Sequence, residues 1–293
     1  MTAYTGRRPF DIKPNGPAAW QRLYMNRLQL MEIEDQSWCP AALRNGATDF
    51  LQTAMALADP YAPVRPLLLE ALKCCGTRRI IDLCSGGSGP WQRFFPTLQH
   101  DLGLPLQLSL TDLYPNPQAG LELQRQYPQQ VGWWPEPVDA LRPPEQLRGF
   151  YTLFTSGHHF RPEALGRILR QAVEKGQGIA LFELSHRSFL ALFLVLLTPL
   201  AVLLVIPFCR PIRLSCLFWV YLVPLVPLLA TFDGIVSCLR TYKPEELRVI
   251  VARLGESGYN WQIGEQPSDR GLPPLTYLIG IPCSNKQTER SGS

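Results

Sequence analysis

Residues Ile80–Trp91 read IIDLCSGGSGPW, an apolar run followed by a glycine-rich turn and the start of a helix. Ile80–Leu83 predicts a short buried strand, and Gly89-Pro90 is typical of a helix start. Glycines in such a turn allow the backbone to approach a ligand closely, and the N-terminus of the following helix attracts polar groups. The stretch therefore favours a ligand-binding turn, with a tight turn that binds nothing as the alternative.

An acidic residue follows the next predicted strand. Asp112 lies 23 residues after Gly89, at the end of the strand Leu106–Leu110. In nucleotide-binding α/β folds a carboxylate at this place accepts hydrogen bonds from ribose hydroxyls. Asp112 also begins the sequence DLYPNP, so a solvated turn is the alternative. A nicotinamide dinucleotide and S-adenosylmethionine (SAM) both fit, but Gly86, Gly87 and Gly89 do not reproduce the spacing G-x-G-x-x-G of dinucleotide-binding turns.

Strands and helices alternate along much of the remaining chain. This alternation is typical of an α/β fold, a parallel sheet covered by helices on both faces. The chain then closes with two strands that predict a hairpin with a long loop. The predicted elements are the helix Pro66–Cys74, the extended segment Val131–Val138, the strand Phe150–Phe154, the helix Pro162–Lys175, the strand Ile179–Leu184, the helix Pro244–Leu254, and the strands Tyr259–Glu265 and Leu275–Ile281.

The composition excludes several classes of protein. The chain has 293 residues, 46% of them hydrophobic and 18% charged, with 22 Gly and 8 Cys. These values exclude a disordered chain, a collagen-like repeat and a disulfide scaffold. The net charge of +4 is too small to indicate nucleic-acid binding. The scattered cysteines, which form no framework, indicate a reducing compartment.

Two long apolar segments interrupt the α/β pattern. Phe189–Phe208 and Leu214–Phe232 contain no charged residue, and Cys209–Arg213 links them. A segment of about 20 apolar residues is long enough to cross a bilayer as a helix. The pair predicts a membrane hairpin that either spans the bilayer or dips into it from one face, because Pro199 and Pro224 can bend its helices. Two buried helices in a soluble core are the alternative.

The apolar segments suggest a division of the chain. The apolar spacing of Trp20–Ile33 predicts a helix near the N-terminus. The acidic and aromatic segment Glu32–Trp38 is either a lid or a surface turn. We expect an N-terminal helical extension or lid at 1–65, a core at 66–282, a membrane hairpin at 189–232 inserted after the fifth strand, and a disordered tail at 283–293.

Three residues at predicted strand ends are candidates for catalysis. His158 and His159 follow the fourth strand, and Glu183 lies at the end of the fifth. The carboxyl ends of parallel strands meet at the edge where open α/β sheets bind ligands. An imidazole there can accept a proton near neutral pH, with local packing of the histidines as the alternative. No pair of cysteines has metal-ligand spacing, so the sequence predicts no metal site.

This arrangement resembles the class I SAM-dependent methyltransferases over about residues 66–282, outside the apolar segments. Asp82–Gly89 is similar to their motif I, whose turn wraps the methionine end of the cofactor. Asp112 matches the acidic residue that binds the ribose, and Asp139-Ala140 matches the pair that contacts adenine. Phe154–Phe160 occupies the motif IV position at the mouth of the site. The final hairpin matches the family's antiparallel strand, so the resemblance implies a Rossmann-like sheet of seven strands with the last one antiparallel.

The resemblance implies that the cofactor is SAM and that the reaction is methyl transfer. Two positions depart from motif I: Cys84 replaces its first glycine, and Ser88 stands where a third glycine is common. The whole pattern also resembles a group of bacterial membrane-associated methyltransferases of unassigned substrate. The cofactor-binding residues that the resemblance implies are Asp82, Cys84, Ser85, Gly86, Gly87, Gly89, Asp112, Asp139, Ala140 and Thr155.

The position of the apolar hairpin bears on the substrate. Five residues separate Glu183 from Phe189, so we expect the hairpin at the rim of the pocket and the catalytic core on the cytoplasmic side of the membrane. A lipid-like acceptor can then enter from the bilayer, whereas a mere tether with a soluble substrate is the competing hypothesis. The alternative functions are a non-catalytic cofactor- or lipid-binding membrane protein and a nicotinamide-dependent lipid oxidoreductase. The sequence does not indicate an oligomeric state.

Overall fold

A computed structural model describes residues 26–116, 121–134, 136–209, 214–255, 257–268 and 271–283. Seven strands form its sheet: β1 (Arg79–Asp82), β2 (Gln107–Leu110), β3 (Val131–Trp133), β4 (Phe150–Phe154), β5 (Ile179–Glu183), β6 (Tyr259–Gln266) and β7 (Leu275–Pro282). Their spatial order is β3-β2-β1-β4-β5-β7-β6. The last strand, β7, runs antiparallel to both of its neighbours, and every other neighbouring pair is parallel. The predicted seven-stranded α/β class is therefore confirmed.

Ten α-helices lie in the described ranges: α1 (Ala41–Ala58), α2 (Arg65–Cys75), α3 (Trp91–Leu102), α4 (Leu121–Gln126), α5 (Pro162–Glu174), α6 (Phe189–Val195), α7 (Thr198–Val205), α8 (Leu214–Leu217), α9 (Leu225–Arg240) and α10 (Pro244–Ala252). The helices cover both faces of the sheet. Successive residues of a strand point to opposite faces, so each face has its own buried cluster. On one face, Ile80 of β1 shares a buried cluster with Phe94 of α3. On the other face, Ile81 of β1 shares a cluster with Leu165 of α5 and Leu247 of α10.

The N-terminal helix lies where the sequence did not indicate it. The predicted helix Trp20–Ile33 is wrong over residues 26–33, which are irregular; residues 20–25 lie outside the described ranges. Instead of forming the hydrogen bonds of a helix, backbone amides of this segment donate to residues of α9. The amide of Leu28 bonds to the Leu239 carbonyl at 3.0 Å, and those of Ile33 and Glu34 bond to the Asp233 carboxylate at 2.7 and 3.0 Å. The helix of this region is α1, which packs on α9 through close contact of Gly46 with Val226.

The apolar segments form short helices with bends between them. Within the described residues, no single helix is both long and apolar enough to cross a membrane; two bent pairs reach the required length and composition only together. One pair, Phe189–Val195 with Thr198–Phe208, is bent by 43°, and the other, Leu214–Leu222 with Leu225–Arg240, by 79°. Prolines explain the bends, because Pro199 lies in the first turn of α7 and Pro224 precedes α9. The predicted spanning hairpin is not supported by these helices, and its link 210–213 lies outside the described residues.

These bent helices bury one side and expose the other. Val202, Ile206, Val220 and Val226 are buried together against Phe50 of α1. Large side chains on the other side are 37 to 84% exposed. The alternative of two fully buried helices therefore does not describe the segment either. The exposed side chains, which we call the apolar face, are those of Phe189, Phe193, Leu196, Leu197, Leu200, Leu203, Leu204, Phe208, Leu214, Phe218, Tyr221, Leu222, Leu225, Leu228 and Phe232.

Candidate active site

The loop between β1 and α3, which we call the glycine turn (Leu83–Pro90), is fastened to the end of β2. The hydroxyl of Ser85 donates to the Asp82 carbonyl at 2.9 Å, and its amide donates to the Thr111 carbonyl at 2.9 Å. The amide of Gly86 donates to Oδ2 of Asp112 at 2.8 Å. Asp112, the predicted ribose ligand, therefore lies against the turn that is predicted to bind the same cofactor.

The glycine turn contains two non-glycine residues in the left-handed region. Cys84 has φ 58° and Ser88 has φ 74°, close to the values of Gly86 and Gly89 at 51° and 47°. Both positions are the ones at which this chain departs from the glycines of motif I. A side chain in this conformation costs on the order of 1–3 kcal/mol, and such strain concentrates at functional sites. The turn thus keeps a glycine-like path despite the two substitutions.

Helix α1 lies directly on the glycine turn. A Cβ atom added to Gly87 would come within 2.8 Å of Cγ2 and 3.0 Å of the carbonyl oxygen of Thr48. The amide of Gln52 donates to the hydroxyl of Ser88 at 3.2 Å. The glycine at position 87 is therefore needed for helix packing, a role that the sequence did not reveal.

The acidic residue that ends β1 is buried and holds the neighbouring strand. Asp82 is 1% exposed, and its Oδ1 accepts a hydrogen bond from Thr152 of β4 at 2.7 Å. Burial raises the pKa of Asp82 to about 7, although the hydrogen bond of Thr152 works in the opposite direction. The Asp82 side chain is therefore buried between β1 and β4 at the base of the glycine turn, and it does not face solvent.

The remaining predicted cofactor residues occupy two places. The amide of Val138, next to Asp139-Ala140, donates to the Asp112 carbonyl at 2.8 Å, so the predicted adenine pair adjoins the predicted ribose ligand. Oδ1 of Asp139 accepts the amide of Leu141 at 2.8 Å, and the residue is exposed. The hydroxyl of Thr155, by contrast, is committed to Tyr61 and to the amide of Leu184. Thr155 therefore offers its backbone, rather than a free hydroxyl, to a ligand.

The three predicted catalytic residues lie together at the ends of β4 and β5. His158 and His159 form a short turn after β4, with their rings stacked at 4.5 Å between centroids. Nδ1 of His158 lies 2.8 Å from Oε2 of Glu183, and the His158 amide donates to Oε1 at 3.0 Å. Glu183 therefore fixes both the backbone and the ring of His158.

Acidic residues from the N-terminal segment complete this group. Oε2 of Glu32 lies 2.9 Å from Nδ1 of His159, and Oδ1 of Asp35 lies 2.8 Å from the same nitrogen. The guanidinium of Arg240, at the end of α9, lies 3.4 Å from Glu32 and 3.2 Å from Asp35. Arg240 also donates to the carbonyls of His158 and His159, at 3.0 and 2.6 Å. We call these six residues the histidine cluster: Glu32, Asp35, His158, His159, Glu183 and Arg240.

Sequence reasoning found only half of the histidine cluster. It identified the two histidines and Glu183, and it noted Glu32–Trp38 as a lid or a surface turn. Neither the burial of Glu32 nor the role of Arg240 had a sequence signal, because Asp35 and His159 are 124 residues apart and Arg240 and Asp35 are 205 apart. The acidic character of Glu32–Trp38 was the one available indication.

Charge pairing decides the protonation of the histidine cluster. Burial opposes ionisation of Glu32, but the facing imidazoles of His159 and His158 outweigh it and hold the pKa of Glu32 far below its usual range. Burial likewise disfavours a charged His159, yet Glu32 and Asp35 raise its pKa well above the usual value. For His158, the charge of Glu183 overcomes burial and raises the pKa. The cluster therefore favours charged acids and charged imidazoles over neutral ones.

The histidine cluster adjoins the glycine turn. β4, which carries the histidines, pairs with β1 on one side and with β5, which carries Glu183, on the other. Burial, followed by the charges of Asp112, Asp82 and Asp35, raises the pKa of the Cys84 thiol well above its usual value. Asp35 is therefore close enough to the turn to influence it electrostatically. Acidic residues therefore lie along the same edge of the sheet, from the predicted cofactor site to the predicted catalytic residues.

The histidine cluster also contains metal-binding atoms. One ligand atom each from Glu32, His158 and His159 lies within 4.8 Å of the other two. The sequence prediction of no metal site relied on local spacing, which cannot detect ligands from segments so far apart.

Comparisons with known proteins give structural matches only. No family model matches the chain, and no curated protein matches it. The matching solved structures include PigF with SAH (17% identity, TM-score 0.46, 84% of this chain and 62% of that one). Human N-acetylserotonin methyltransferase in complex with SAM matches at 12% identity and TM-score 0.43 over 80% of this chain and 55% of that one. The plantazolicin methyltransferase BpumL in complex with SAH matches at 9% identity and TM-score 0.46 over 82% and 95%.

N-acetylserotonin methyltransferase and BpumL are methyltransferases, and PigF is bound to SAH. The chain spans about half the length of several of them, such as 55% of mitomycin 7-O-methyltransferase MmcR. Likenesses at this identity and TM-score carry no information about the reaction. The function of this chain therefore has to be inferred from its own residues.

Proposed function

We propose that this protein transfers a methyl group from SAM to a small or lipid-like acceptor at a membrane surface. The observation that carries the proposal is the histidine cluster, which lies beside the glycine turn and Asp112, the predicted ribose ligand, at the carboxyl edge of the parallel strands. Open α/β sheets bind ligands at this edge. A cofactor at the turn and an acceptor at the cluster would be neighbours.

The glycine turn and Asp112 are proposed to hold the cofactor. Asp112 is already oriented, because its two oxygens accept the amides of Gly86 and Tyr114 at 2.8 Å each. A carboxylate oxygen has a second lone pair, so both remain able to accept a ribose hydroxyl. Asp139 and Ala140 would border the adenine, next to Asp112. The left-handed residues of the turn allow its backbone to approach the methionine end.

The histidine cluster is proposed to bind the acceptor and to stabilise its ionised oxygen. Methyl transfer requires the acceptor atom in line with the sulfonium methyl group, and an ionised oxygen reacts best. The side chain of His159 is 22% exposed and that of Asp35 is 34% exposed, whereas those of His158, Glu32 and Glu183 are at most 1% exposed. His159 and Asp35 are therefore the members that an acceptor can reach. His158 and Glu183 are positioning residues, because they hold the turn on which His159 lies.

The apolar face is proposed to rest on the bilayer. Fifteen large apolar side chains are exposed on its helices, and a concentration of exposed apolar residues marks protein or membrane contact surfaces. Helix α9 belongs to this face at Leu225 and Leu228, and at its other end it supplies Arg240 to the histidine cluster. Helix α9 therefore connects the apolar face to the histidine cluster. None of the eight cysteines forms a disulfide within the described residues, which supports the cytoplasmic side.

Cofactor identity is tested by calorimetric titration of the full chain with S-adenosylhomocysteine and, separately, with NADH. We expect S-adenosylhomocysteine to bind, and Asp112→Ala to weaken it about tenfold or more, since charge-assisted hydrogen bonds contribute about 1.5–3 kcal/mol. Asp101→Ala, an acidic residue at the far end of α3, is the matched control and should bind normally. NADH binding in place of S-adenosylhomocysteine would establish the oxidoreductase alternative, and binding unaffected by Asp112→Ala would overturn the assigned site.

The acceptor is tested with labelled SAM and a membrane lipid extract, followed by mass analysis of the labelled product. We expect a labelled lipid-soluble product. Substituting His159→Ala should slow the reaction about 100-fold, because the acceptor loses one of the two exposed side chains that position it in line with the methyl group. Cofactor binding without any labelled product from the lipid or the soluble fraction would favour the non-catalytic binding protein.

Membrane attachment is tested by flotation with phospholipid vesicles. We expect the chain to float, and the double substitution Leu200→Glu/Leu204→Glu in the apolar face to abolish flotation. Leu104→Glu/Val249→Glu changes two exposed apolar residues outside this face and should not affect flotation. Equal flotation of both variants would contradict the proposed surface.

A further inference from the structure

We infer that Glu32, His158 and His159, with Asp35 beside them, form a binding site for one divalent transition-metal cation, with Zn²⁺ as the best fit. One ligand atom from each of Glu32, His158 and His159 lies within 4.8 Å of the other two, so one cation can reach all three. Nothing in the proposed methyl transfer requires such a site, because many positioned acceptors react without a cation.

The orientation of His158 provides the first argument. Its Nδ1 lies 2.8 Å from Oε2 of Glu183 and donates to it, so Nε2 is the nitrogen left for a metal ion, which on binding would displace the proton that a charged imidazole carries there. Within the described residues, Nε2 has no hydrogen-bond partner although the side chain is only 1% exposed. Oε1 of Glu32 lies 3.5 Å from it, too far for a good hydrogen bond. Nε2 of His158 is therefore buried near the Glu32 carboxylate without a hydrogen bond to it. A cation bound by both groups would account for this arrangement.

The carboxylate of Glu32 provides the second argument. Its Oε2 lies 2.9 Å from Nδ1 of His159 but makes no hydrogen bond of acceptable geometry within the described part of the chain. Its Oε1 accepts a hydrogen bond from the hydroxyl of Ser237 at 3.0 Å. Glu32 is 0% exposed, so bulk solvent does not reach the unpaired Oε2, and leaving such an atom unpaired is costly. A cation bound by Oε2 and by Nε2 of His158 would satisfy both of these atoms, and Nδ1 of His159 would join them by exchanging its hydrogen bond to Asp35 for the cation.

The donor set and the charges fit a catalytic type of metal site. Two imidazoles and one carboxylate are the protein ligands of several catalytic zinc centres, which keep a fourth position open. Three carboxylates and one guanidinium give the cluster a formal charge of −2 when its imidazoles are neutral, and a divalent cation balances it. The partial exposure of His159 and Asp35 places the open position on the accessible side.

The surroundings resemble the outer shell of a metal site. Histidine ligands usually donate their second ring nitrogen to a carboxylate, as His158 does to Glu183, and this fixes the ring. Arg240 and Ser237, both on α9, orient the carboxylates of Asp35 and Glu32. Because α9 also carries part of the apolar face, the site is held between the sheet and the face proposed to touch the membrane.

The role of the cation rests on the proposed function. An acceptor hydroxyl bound at the open position would lose its proton to water, because a bound cation lowers the pKa of an oxygen ligand. The oxygen then attacks the methyl carbon of SAM, the O–C bond forms and the C–S bond breaks. The electron pair of that bond goes to sulfur and leaves S-adenosylhomocysteine. His159 acts here as a ligand, so the cation rather than a free imidazole promotes ionisation.

The site itself is tested without any reaction. The full chain is stripped of metals with a chelator and titrated with Zn²⁺ by calorimetry, and with Co²⁺ by visible absorption, which reports on coordination. We expect one equivalent of either ion and a Co²⁺ spectrum of low coordination number. Glu32→Gln and His158→Ala should abolish this binding, and Glu183→Gln should weaken it about tenfold or more, as the loss of an outer-shell partner does. His100→Ala removes an exposed histidine that also contacts a carboxylate and should have no effect.

Titration with S-adenosylhomocysteine separates the two proposals. A stripped chain that binds S-adenosylhomocysteine but neither Zn²⁺ nor Co²⁺ would overturn the metal site and leave the proposed function standing. Metal binding that survives in Glu32→Gln and His158→Ala alike would also overturn it. Where His158→Ala does not fold, Glu183→Gln, which keeps the size of the side chain, decides the outcome. Stoichiometric metal without S-adenosylhomocysteine binding would support the site and contradict the proposed function.

Discussion

The glycine turn and the histidine cluster lie at the ends of neighbouring strands, yet they are built in opposite ways. The turn consists of eight consecutive residues, and it depends on backbone shape: left-handed residues at Cys84 and Ser88, and close contact of Gly87 with α1. The cluster gathers side chains from the N-terminal segment, two strand ends and α9. It depends on the pairing of charges across these segments.

Their acidic residues show the same contrast. Asp82 supports the turn with no cationic side chain in contact among the described residues, and burial raises its pKa to about 7. Glu32 is equally buried, but the facing histidines outweigh burial and lower its pKa. Burial alone therefore does not predict the protonation of an acid in this protein; the neighbouring charges decide it. Substitutions in the two regions should accordingly differ in size and in pH dependence.

Removing the guanidinium of Arg240, which pairs with Glu32 and Asp35, should have the largest effect. Arg240→Met leaves Glu32 buried without its guanidinium and removes the donors to the carbonyls of His158 and His159. We expect the free energy of unfolding to fall by about 3–5 kcal/mol, the usual result of breaking a buried ion pair from one side. Urea unfolding measures it. Arg248→Met, in which an exposed arginine is lost, should change stability by no more than about 0.5 kcal/mol. Similar effects of the two substitutions would show that charge pairing does not hold the cluster.

The buried acid of the turn should give a smaller effect with a defined pH dependence. The folded-state pKa of Asp82, about 7, exceeds its ordinary value, so the folded protein binds more protons than the unfolded chain between these values. Stability from this group is therefore present at low pH and lost as pH rises toward 7. Asp82→Asn, which retains an oxygen for Thr152, should remove this loss. We expect the variant to gain on the wild type by about 2 kcal/mol between pH 5 and pH 8.

Urea unfolding at the two pH values checks the Asp82 prediction. Asp101→Asn, at the C-terminal end of α3, is the control and should leave the pH dependence of the wild type unchanged. A variant that follows the wild type at both pH values would mean that Asp82 is already ionised in the folded state. In that case its environment would resemble that of Glu32, and the contrast between the regions would fail.

Helix packing on the turn should respond to a single methyl group. Gly87→Ala places a Cβ atom within 2.8 Å of Thr48, where the neighbouring carbonyl cannot move freely. We expect a loss of about 1–3 kcal/mol, as is usual for overpacking, and weaker S-adenosylhomocysteine binding. Gly132→Ala is the matched control, because no heavy atom lies within 4 Å of the added Cβ at that position. Equal stability of the two alanine variants, measured by thermal unfolding, would show that α1 does not rest on the turn.

Sequence patterns predicted the sheet well because its elements are local. β4 coincides with the predicted Phe150–Phe154, and the residue range of α5 ends one position before the predicted Lys175. Short apolar runs, which become strands buried on both faces, and the Gly and Pro residues between them are visible within a few positions of the sequence. β3, by contrast, ends at Trp133, short of the predicted Val131–Val138, since Pro135 and Pro137 cannot donate to a strand ladder.

The N-terminal segment could not be predicted in the same way. Residues 26–33 have helical spacing, but their amides bond to α9, which lies some two hundred residues later: Ile33 and Asp233 are 200 apart. The same distance hid the partners of His159. Local spacing carries no information about a tertiary partner that supplies the hydrogen bonds, so tertiary contacts override it. The apolar segments were found from composition, but their bends follow from where Pro199 and Pro224 fall.

The smallest effect should come from backbone strain in the turn. Cys84 has φ 58°, a conformation that glycine adopts without strain and that β-branched residues rarely reach. Cys84→Gly removes strain but makes the unfolded chain more flexible, so we expect a change in stability within about 1 kcal/mol. Cys84→Val should destabilise by about 2 kcal/mol, because its branched side chain is forced into the left-handed region. Cys283→Val, at an exposed cysteine, is the control for the chemical change and should stay within about 0.5 kcal/mol of the wild type. Thermal unfolding ranks the variants, and a valine at position 84 that is as stable as the glycine would mean that the turn does not follow a glycine-like path.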